Sequence, residues 1–523
     1  MSLSSRIICN ALFTSGGTNV FVCNTCNNTY RSSNGYSNLL NHLRRHHPAY
    51  EQLARSALRE GNALQLRVVD QRTVDVYRLV EWIVVDKLPF SFCERPNVRA
   101  NTKLSKINRQ TVNIYVVAIA DCVEARMKRD LTSQFGVVLD GWTRGGRHYL
   151  AIFAVFNGKR EGAGVGTQTS ADVFDDIHCT TRQFVLLAFC PLEDETDLVA
   201  QSVYALLADT LSRYDRPWQA VTFMVGDNCS VNQSIGRKVE AVPFIGCASY
   251  RFNLARKDYL AKEDALLEKT HALMKRFSTM KGRAVLRQVT PLAPVLRNAT
   301  RWSSTYAMVE RYITLEKCFR ELDHGTVSKH DLGSVFLSRR EHDKAKTLLG
   351  DLARLEGVTK MLQRSTLTMS ATRRLFDQVV QNYPAMKDRL SATAAAVNYS
   401  ALETGLVKIQ RGENLNAAER TACASFRATS EPEDHEDGAE DHASIVSVAF
   451  KRRKVSKRAK YVDVNFVPPT SNQCKRFFSA AKLQLTDLRM KMDAERIEKV
   501  MLLPFNRTMR DVYTVEMVRG RQQ

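Results

Sequence analysis

Asp140 and Asp227 are the residues whose type and setting best fit covalent chemistry. Each closes a run of apolar, mostly β-branched residues, FGVVLD at 135–140 and VTFMVGD at 221–227. That is the pattern of a buried strand ending on a polar group. Two strand-end carboxylates can hold hard divalent cations, Mg²⁺ first, about 4 Å apart for phosphoryl transfer. Asp227 precedes Asn228-Cys-Ser and equally fits a cap on a following helix. A second set stands upstream: Cys23 and Cys26 in a CNTC knuckle, and His42 and His47 in HLRRHH. Tetrahedral Zn²⁺ takes four N/S ligands, typically two from a turn and two from one helix face. His46 is the alternative fourth ligand; His47 is preferred because His46 leaves Pro48 and the final turn harder to place.

These groups need scaffolds, and the chain is patterned to supply them. Residues 16–50 form the metal module, with Phe21, Tyr30, Leu39, Leu40 and Leu43 as a small interior. About 35 residues cannot build a sufficient core, so the module folds only with metal. Arg31, Arg44 and Arg45 suit phosphates, while Asn34, Asn38 and Asn41 suit base edges. Residues 60–130 are a helical lead-in that breaks at Leu88-Pro89. From 131 to 260 the texture is α/β: FGVVLD, HYLAIFAVFN and RQFVLLAFCPL as strands, a helix, VTFMVGD, a helix from Asn228 to Glu240, then FIGCASYRFNLA as a strand running into a turn. Three strands, helix, strand, helix, strand is the order of an RNase H-like core. Residues 261–430 are a helical, charged insertion. Residues 431–465 form a linker holding an acidic run at 431–442 and a basic run, KRRKVSKRAK, at 451–460 that suits nuclear import. In 470–510, Phe477, Phe478, Ala481 and Leu485 share one helix face; Ile497, Val500 and Met501 line another after a cap at Asp493.

The chain of 523 residues has 76 Lys and Arg against 55 Asp and Glu, a net charge of +21. Such a surplus favours polyanions, nucleic acid first. Twelve scattered cysteines with one close pair argue for thiols or metal ligands in a reducing compartment, against a disulfide scaffold. No run of 18 apolar residues exists, so no membrane span is expected. The opening MSLSSRIICNALFTS lacks a secretory pattern. The expected partner is DNA, the expected location the nucleus, and no small-molecule substrate is expected.

Taken together, the chain resembles the hAT superfamily of DNA transposases that carry an N-terminal BED-type zinc finger. The resemblance rests on CNTC…HLRRHHP, LPFSFCE at 88–94, VVLDGWT at 137–143, GDNCSVN at 226–232 and CASYRFNLA at 247–255. It rests also on RNATRWSSTYAMVER at 297–311 and the block from Cys474 to Asn506. It implies a multidomain fold: a small zinc finger, an α/β RNase H-like core interrupted by a long all-α insertion, and a C-terminal dimerisation segment. It implies two aspartates and one glutamate around two divalent ions, with Asp140 and Asp227 matching the aspartates. The glutamate position reads Lys475, in Lys475-Arg476-Phe477-Phe478-Ser479. A lysine cannot ligate Mg²⁺ and would repel the second ion by roughly 1–4 kcal/mol at about 4 Å. The histidine of the family's Cys-x-x-His string is Tyr250 here. The resemblance further implies homo-oligomers through the C-terminal segment, with the Phe477/Phe478 segment as the candidate interface. Trp142 and Trp302 read as core residues. Two functions follow: a zinc-dependent DNA binder whose cleavage is impaired at Lys475, or an active transposase in which another acid such as Asp487 substitutes.

Overall fold

The computed structural model describes residues 5–17, 20–31, 36–60, 69–158, 178–192, 200–228, 242–298, 303–428, 461–485 and 492–522. Trp302, Asn34, Asp487, the 431–442 and 451–460 charge runs and nearly all of the helix expected over 228–240 lie outside those residues. The protein is multidomain, with a small N-terminal finger region and a largely helical body carrying a mixed sheet. It divides into two units, Met1–Leu131 with Ala481–Gln523, and Thr132–Ala480.

In the first unit, helix α1 (Ser5–Leu12) leads into an antiparallel sheet of β1 (Phe13–Gly17), β2 (Val20–Cys23) and β3 (Thr29–Arg31). Helices α2 (Ser37–His46) and α3 (Tyr50–Glu60) complete the module. Ile8, Cys9 and Leu12 fall on one face of α1 and join Phe13, Leu39, Leu43 and Ala54 in a buried cluster. The core therefore reaches beyond the expected 16–50, because α1 packs on α2 and β1, and α3 packs on α1.

The helical part of this unit contains α4 (Gln71–Val85), α5 (Pro96–Asn101) and α6 (Arg109–Asp130). The break expected at Leu88-Pro89 falls just after α4. Helices Ala494–Phe505, capped by Asp493, and Val512–Gln522 pack on α4 and α6. Arg519 Nη1 donates to both carboxylate oxygens of Asp70 at 2.7 Å, and Lys499 Nζ lies 3.0 Å from Asp121. Burial alone would raise the Asp70 pKa; hydrogen bonds from Arg519 and Thr73 outweigh it and hold the group at about 2.

The second unit is built on a five-stranded sheet in the order β6-β5-β4-β7-β8. Its strands are β4 (Phe135–Arg144), β5 (Arg147–Asn157), β6 (Arg182–Pro191), β7 (Val221–Gly226) and β8 (Phe244–Gly246). Pairing is antiparallel across β4, β5 and β6 and parallel across β4, β7 and β8. The apolar stretches of β4, β5 and β7 are buried on both faces, which explains their unbroken hydrophobic runs. Gly136 has a packing reason: a Cβ there would sit 2.1 Å from the Phe223 ring on the neighbouring strand.

Three expectations change. Asp140 does not end its strand. Gly145 and Gly146, both at positive φ (58° and 78°), make a two-residue turn, and β4 continues to Arg144 against β5. FIGCASYRFNLA is a strand only to Gly246; Ala248–Leu260 is a helix. Phe477 and Phe478, on helix Asn472–Gln484, are buried in their own chain. Phe477 meets Phe189 at 4.7 Å and Phe153 at 5.6 Å, and Phe478 stacks on Trp142 at 5.7 Å. They cover the sheet and are unavailable as an exposed interface.

The helices from Ala248 to Arg411 bury two clusters, one around Leu267, Phe277 and Tyr312, the other around Phe252, Leu355 and Phe376. Arg182 ties the sheet to this body. Its guanidinium donates to the carbonyls of Ser365, Leu367, Asn465, Phe466 and Val467 at 2.6–3.2 Å. No helix among the described residues is long and apolar enough to cross a membrane.

Candidate metal centre and acidic pair

Cys23 closes β2, and the chain turns sharply after it. Asn27 N–H donates to Cys23 O at 2.8 Å, Cys23 N–H to Asn28 O at 2.9 Å, and Asn27 takes a left-handed φ of 59° that Asn tolerates. The knuckle aims both thiols at α2. His42 lies on the buried face of α2 beside Leu39 and Leu43. His47 comes from outside the helix. The residue before a proline is driven out of the α region, and His47, before Pro48, takes φ −134° and ψ 73°. That departure swings its ring back: His47 Nε2 lies 3.6 Å from Cys23 Sγ, and His42 Nε2 lies 3.4 Å from Cys26 Sγ. All four ligand atoms lie within 4.8 Å of one another. Zn–S of about 2.3 Å and Zn–N of about 2.1 Å at the tetrahedral angle require an S···N edge of roughly 3.6 Å. The four side chains fit zinc. His46, one residue short of the turn, is exposed and outside the group.

Residues 8–48 match the BED zinc finger family. No curated protein matches the chain. A BED finger binds DNA and depends on zinc for its fold, so DNA binding and a zinc cofactor follow for this part of the protein.

Burial lowers the pKa of His42, and the neighbouring His47 and His46 push it the same way, which favours the neutral imidazole a metal needs. Its other ring nitrogen, Nδ1, lies 2.7 Å from the Tyr30 hydroxyl. With Nε2 on zinc, Nδ1 carries the proton and donates it to that hydroxyl, fixing tautomer and ring angle. Tyr30→Phe keeps the edge contact with Phe13 and removes only this acceptor. It is expected to weaken zinc binding about tenfold or more, read by competition with a chromophoric chelator. Sequence patterning placed Tyr30 only in the interior; no spacing rule singles out a partner for the second imidazole nitrogen.

On α2 the residues proposed for DNA contact face away from the cluster. Asn38, Asn41, Arg44 and Arg45 are exposed, as is Arg31 at the end of β3. Asn38, Asn41 and Arg45 are three, then four, residues apart and so share one face.

In the second unit the acidic pair follows from strand register. Val138 of β4 pairs with Val225 of β7 in parallel; Asp140 lies two residues further along β4, and Asp227 is the first residue past the end of β7. Asp227 is close enough for its charge to act on Asp140. Asp140 is 7 % exposed. Burial raises its pKa to about 7; Lys475 lowers it, Asp227 raises it, and the Gly141 N–H and the Ser471 side chain lower it. Lys475 is held beside the pair because its helix is anchored. Asn472 Nδ2 donates to Ser249 Oγ at 2.8 Å and to Leu362 O at 2.9 Å, while Ala248 N–H donates to Pro469 O at 2.9 Å. Tyr250 stands half-buried in the first turn of Ala248–Leu260. This donor set does not fit two Mg²⁺ ions: it offers two carboxylates, one buried and easily protonated, beside an ammonium.

Proposed function

We propose that this chain is a hAT transposase-like protein that binds DNA through its zinc finger and has lost strand cleavage at Lys475. The sheet order β6-β5-β4-β7-β8, with three antiparallel strands followed by two parallel ones, supports an RNase H-like core. The single observation carrying the reading is Lys475, at the position where the family has its glutamate, acting with Asp227 on buried Asp140. A nuclear location accompanies a DNA-binding role. Any self-association through the C-terminal segment uses surfaces other than Phe477 and Phe478.

Nicking of supercoiled DNA in Mn²⁺ or Mg²⁺ tests this. The native chain and Asp140→Ala are expected to be silent, and Lys475→Glu to nick. Removing the ammonium and adding a carboxylate together relieve a repulsion of roughly 1–4 kcal/mol and supply a ligand. Nicking by the native chain that disappears in Asp140→Ala would instead establish an active transposase.

A further inference from the structure

Between Glu94 and Asp121 the chain carries Arg95, Arg99, Lys103, Lys106 and Arg109 and no Asp or Glu. All five side chains are exposed, on the residue before α5, on α5, on the loop after it and on the first residue of α6. None forms an ion pair among the described residues. Elsewhere in the same unit Arg126, Lys499, Arg507, Arg510 and Arg519 are each paired with a named carboxylate. The acids nearest the stretch are spent on its backbone. Glu94 accepts the Arg109 N–H at 2.9 Å, and buried Asp75 accepts the Ser105 N–H at 2.9 Å and its hydroxyl at 2.7 Å.

Those bonds make the stretch a built surface. Thr102 Oγ1 donates to Val98 O at 2.8 Å, and Asn108 caps α6 by accepting the Thr111 N–H at 2.7 Å. Arg95 lies over the Phe92 ring, 5.8 Å from its centroid, and Arg99 Nε donates to Cys93 O at 3.3 Å. With the loop pinned at Ser105 and Ile107 buried beneath it, Lys103 and Lys106 are held at the surface.

We propose that residues 95–109 are a second DNA contact, a sequence-independent site for the phosphate backbone that acts beside the finger. Cations that form no ion pair can displace the counterions condensed on DNA at no cost in broken ion pairs. Because the site sits on the same chain as the finger, engagement of one raises the effective concentration for the other. The choice of DNA as the polyanion rests on the finger's own binding; the cationic surface does not.

The test uses the full-length zinc-loaded protein and a duplex of arbitrary sequence, with binding followed by fluorescence anisotropy across a salt series. Lys103→Ala/Lys106→Ala/Arg109→Ala is expected to make the slope of log affinity against log salt shallower by about 2–3, at roughly 0.9 per phosphate contact. Lys103→Arg/Lys106→Arg should keep the native slope. Chelating the zinc should leave a residual, salt-steep binding in the native chain that the triple variant lacks. An unchanged slope in a folded triple variant overturns the proposal, whatever the finger does. So does binding to phosphatidylserine-containing vesicles as tight as to DNA and lost in the same variant. Loss of all DNA binding on chelation, with the triple variant otherwise native-like, overturns the second site and leaves the finger reading intact.

Discussion

Chelation of zinc should unfold the finger and abolish its DNA binding while the sheet of the second unit stays intact. The finger's cluster is small, Ile8, Cys9, Leu12, Phe13, Leu39, Leu43 and Ala54 around Cys23, and His42 sits against it. Structural zinc contributes about 10–16 kcal/mol of apparent folding free energy at neutral pH, more than so few side chains supply. Without metal, two thiols and two imidazoles converge with nothing to hold them, and α1, α2 and α3 lose their common support. Cys23→Ser should reproduce the loss at saturating zinc, and His46→Ala should not, because His46 is outside the ligand set. Circular dichroism and anisotropy with and without chelator check the expectation; helicity and finger-dependent binding that survive chelation would defeat it.

The second large effect is a pH dependence centred on Asp140. Its carboxyl rises from an ordinary 3.8 to about 7, chiefly by burial, so the folded protein holds this proton more tightly than the unfolded chain does. Stability contributed here is therefore lost as pH climbs from about 4 through 7, and it stays lost above 7. Three pH units correspond to about 4 kcal/mol at roughly 1.4 kcal/mol each. Asp140→Asn keeps the shape and cannot ionise. Relative to the native chain, its second unit should gain up to about 4 kcal/mol between pH 4 and pH 8, in denaturant unfolding followed by the fluorescence of Trp142. Lys475→Met should extend the native dependence to higher pH, since Lys475 is the group that lowers the Asp140 pKa most. Parallel pH curves for native and Asp140→Asn would sink the assignment.

Much of this architecture was legible in residue order, and the failures have physical causes. The spacing of Cys23 and Cys26 and the histidines after Leu40 mark the zinc group, with His46 left as the alternative to His47; the choice follows from the backbone at His47, which leaves the helix before Pro48. The strands at 135–144, 147–157, 182–191 and 221–226 are legible because buried strands read as apolar runs. The end of β4 was not, since a polar Asp inside a strand looks like its boundary until the Gly145-Gly146 turn supplies β5 as partner. Helix α1 was overlooked: eight residues give one apolar face of three side chains, too weak a period without the sheet beneath it. The face shared by Phe477 and Phe478 was visible, but periodicity says that a face is buried and never against what. Here it is against Phe153 and Phe189.

The pairing of Asp70 with Arg519 spans 449 residues, and that separation bears on how the protein is made. At about 5–20 residues per second, α4 and α6 leave the ribosome roughly 20–90 s before the helices at 494–522 that cover them. During that interval α4 and α6 have each other but lack the cover of those helices, and a messenger truncated anywhere upstream of residue 494 leaves that part of their surface open permanently. The finger, closed within its first 57 residues, can take up zinc while most of the chain is still being synthesised. A prematurely terminated chain would then still carry a complete zinc finger beside an unfinished hydrophobic surface.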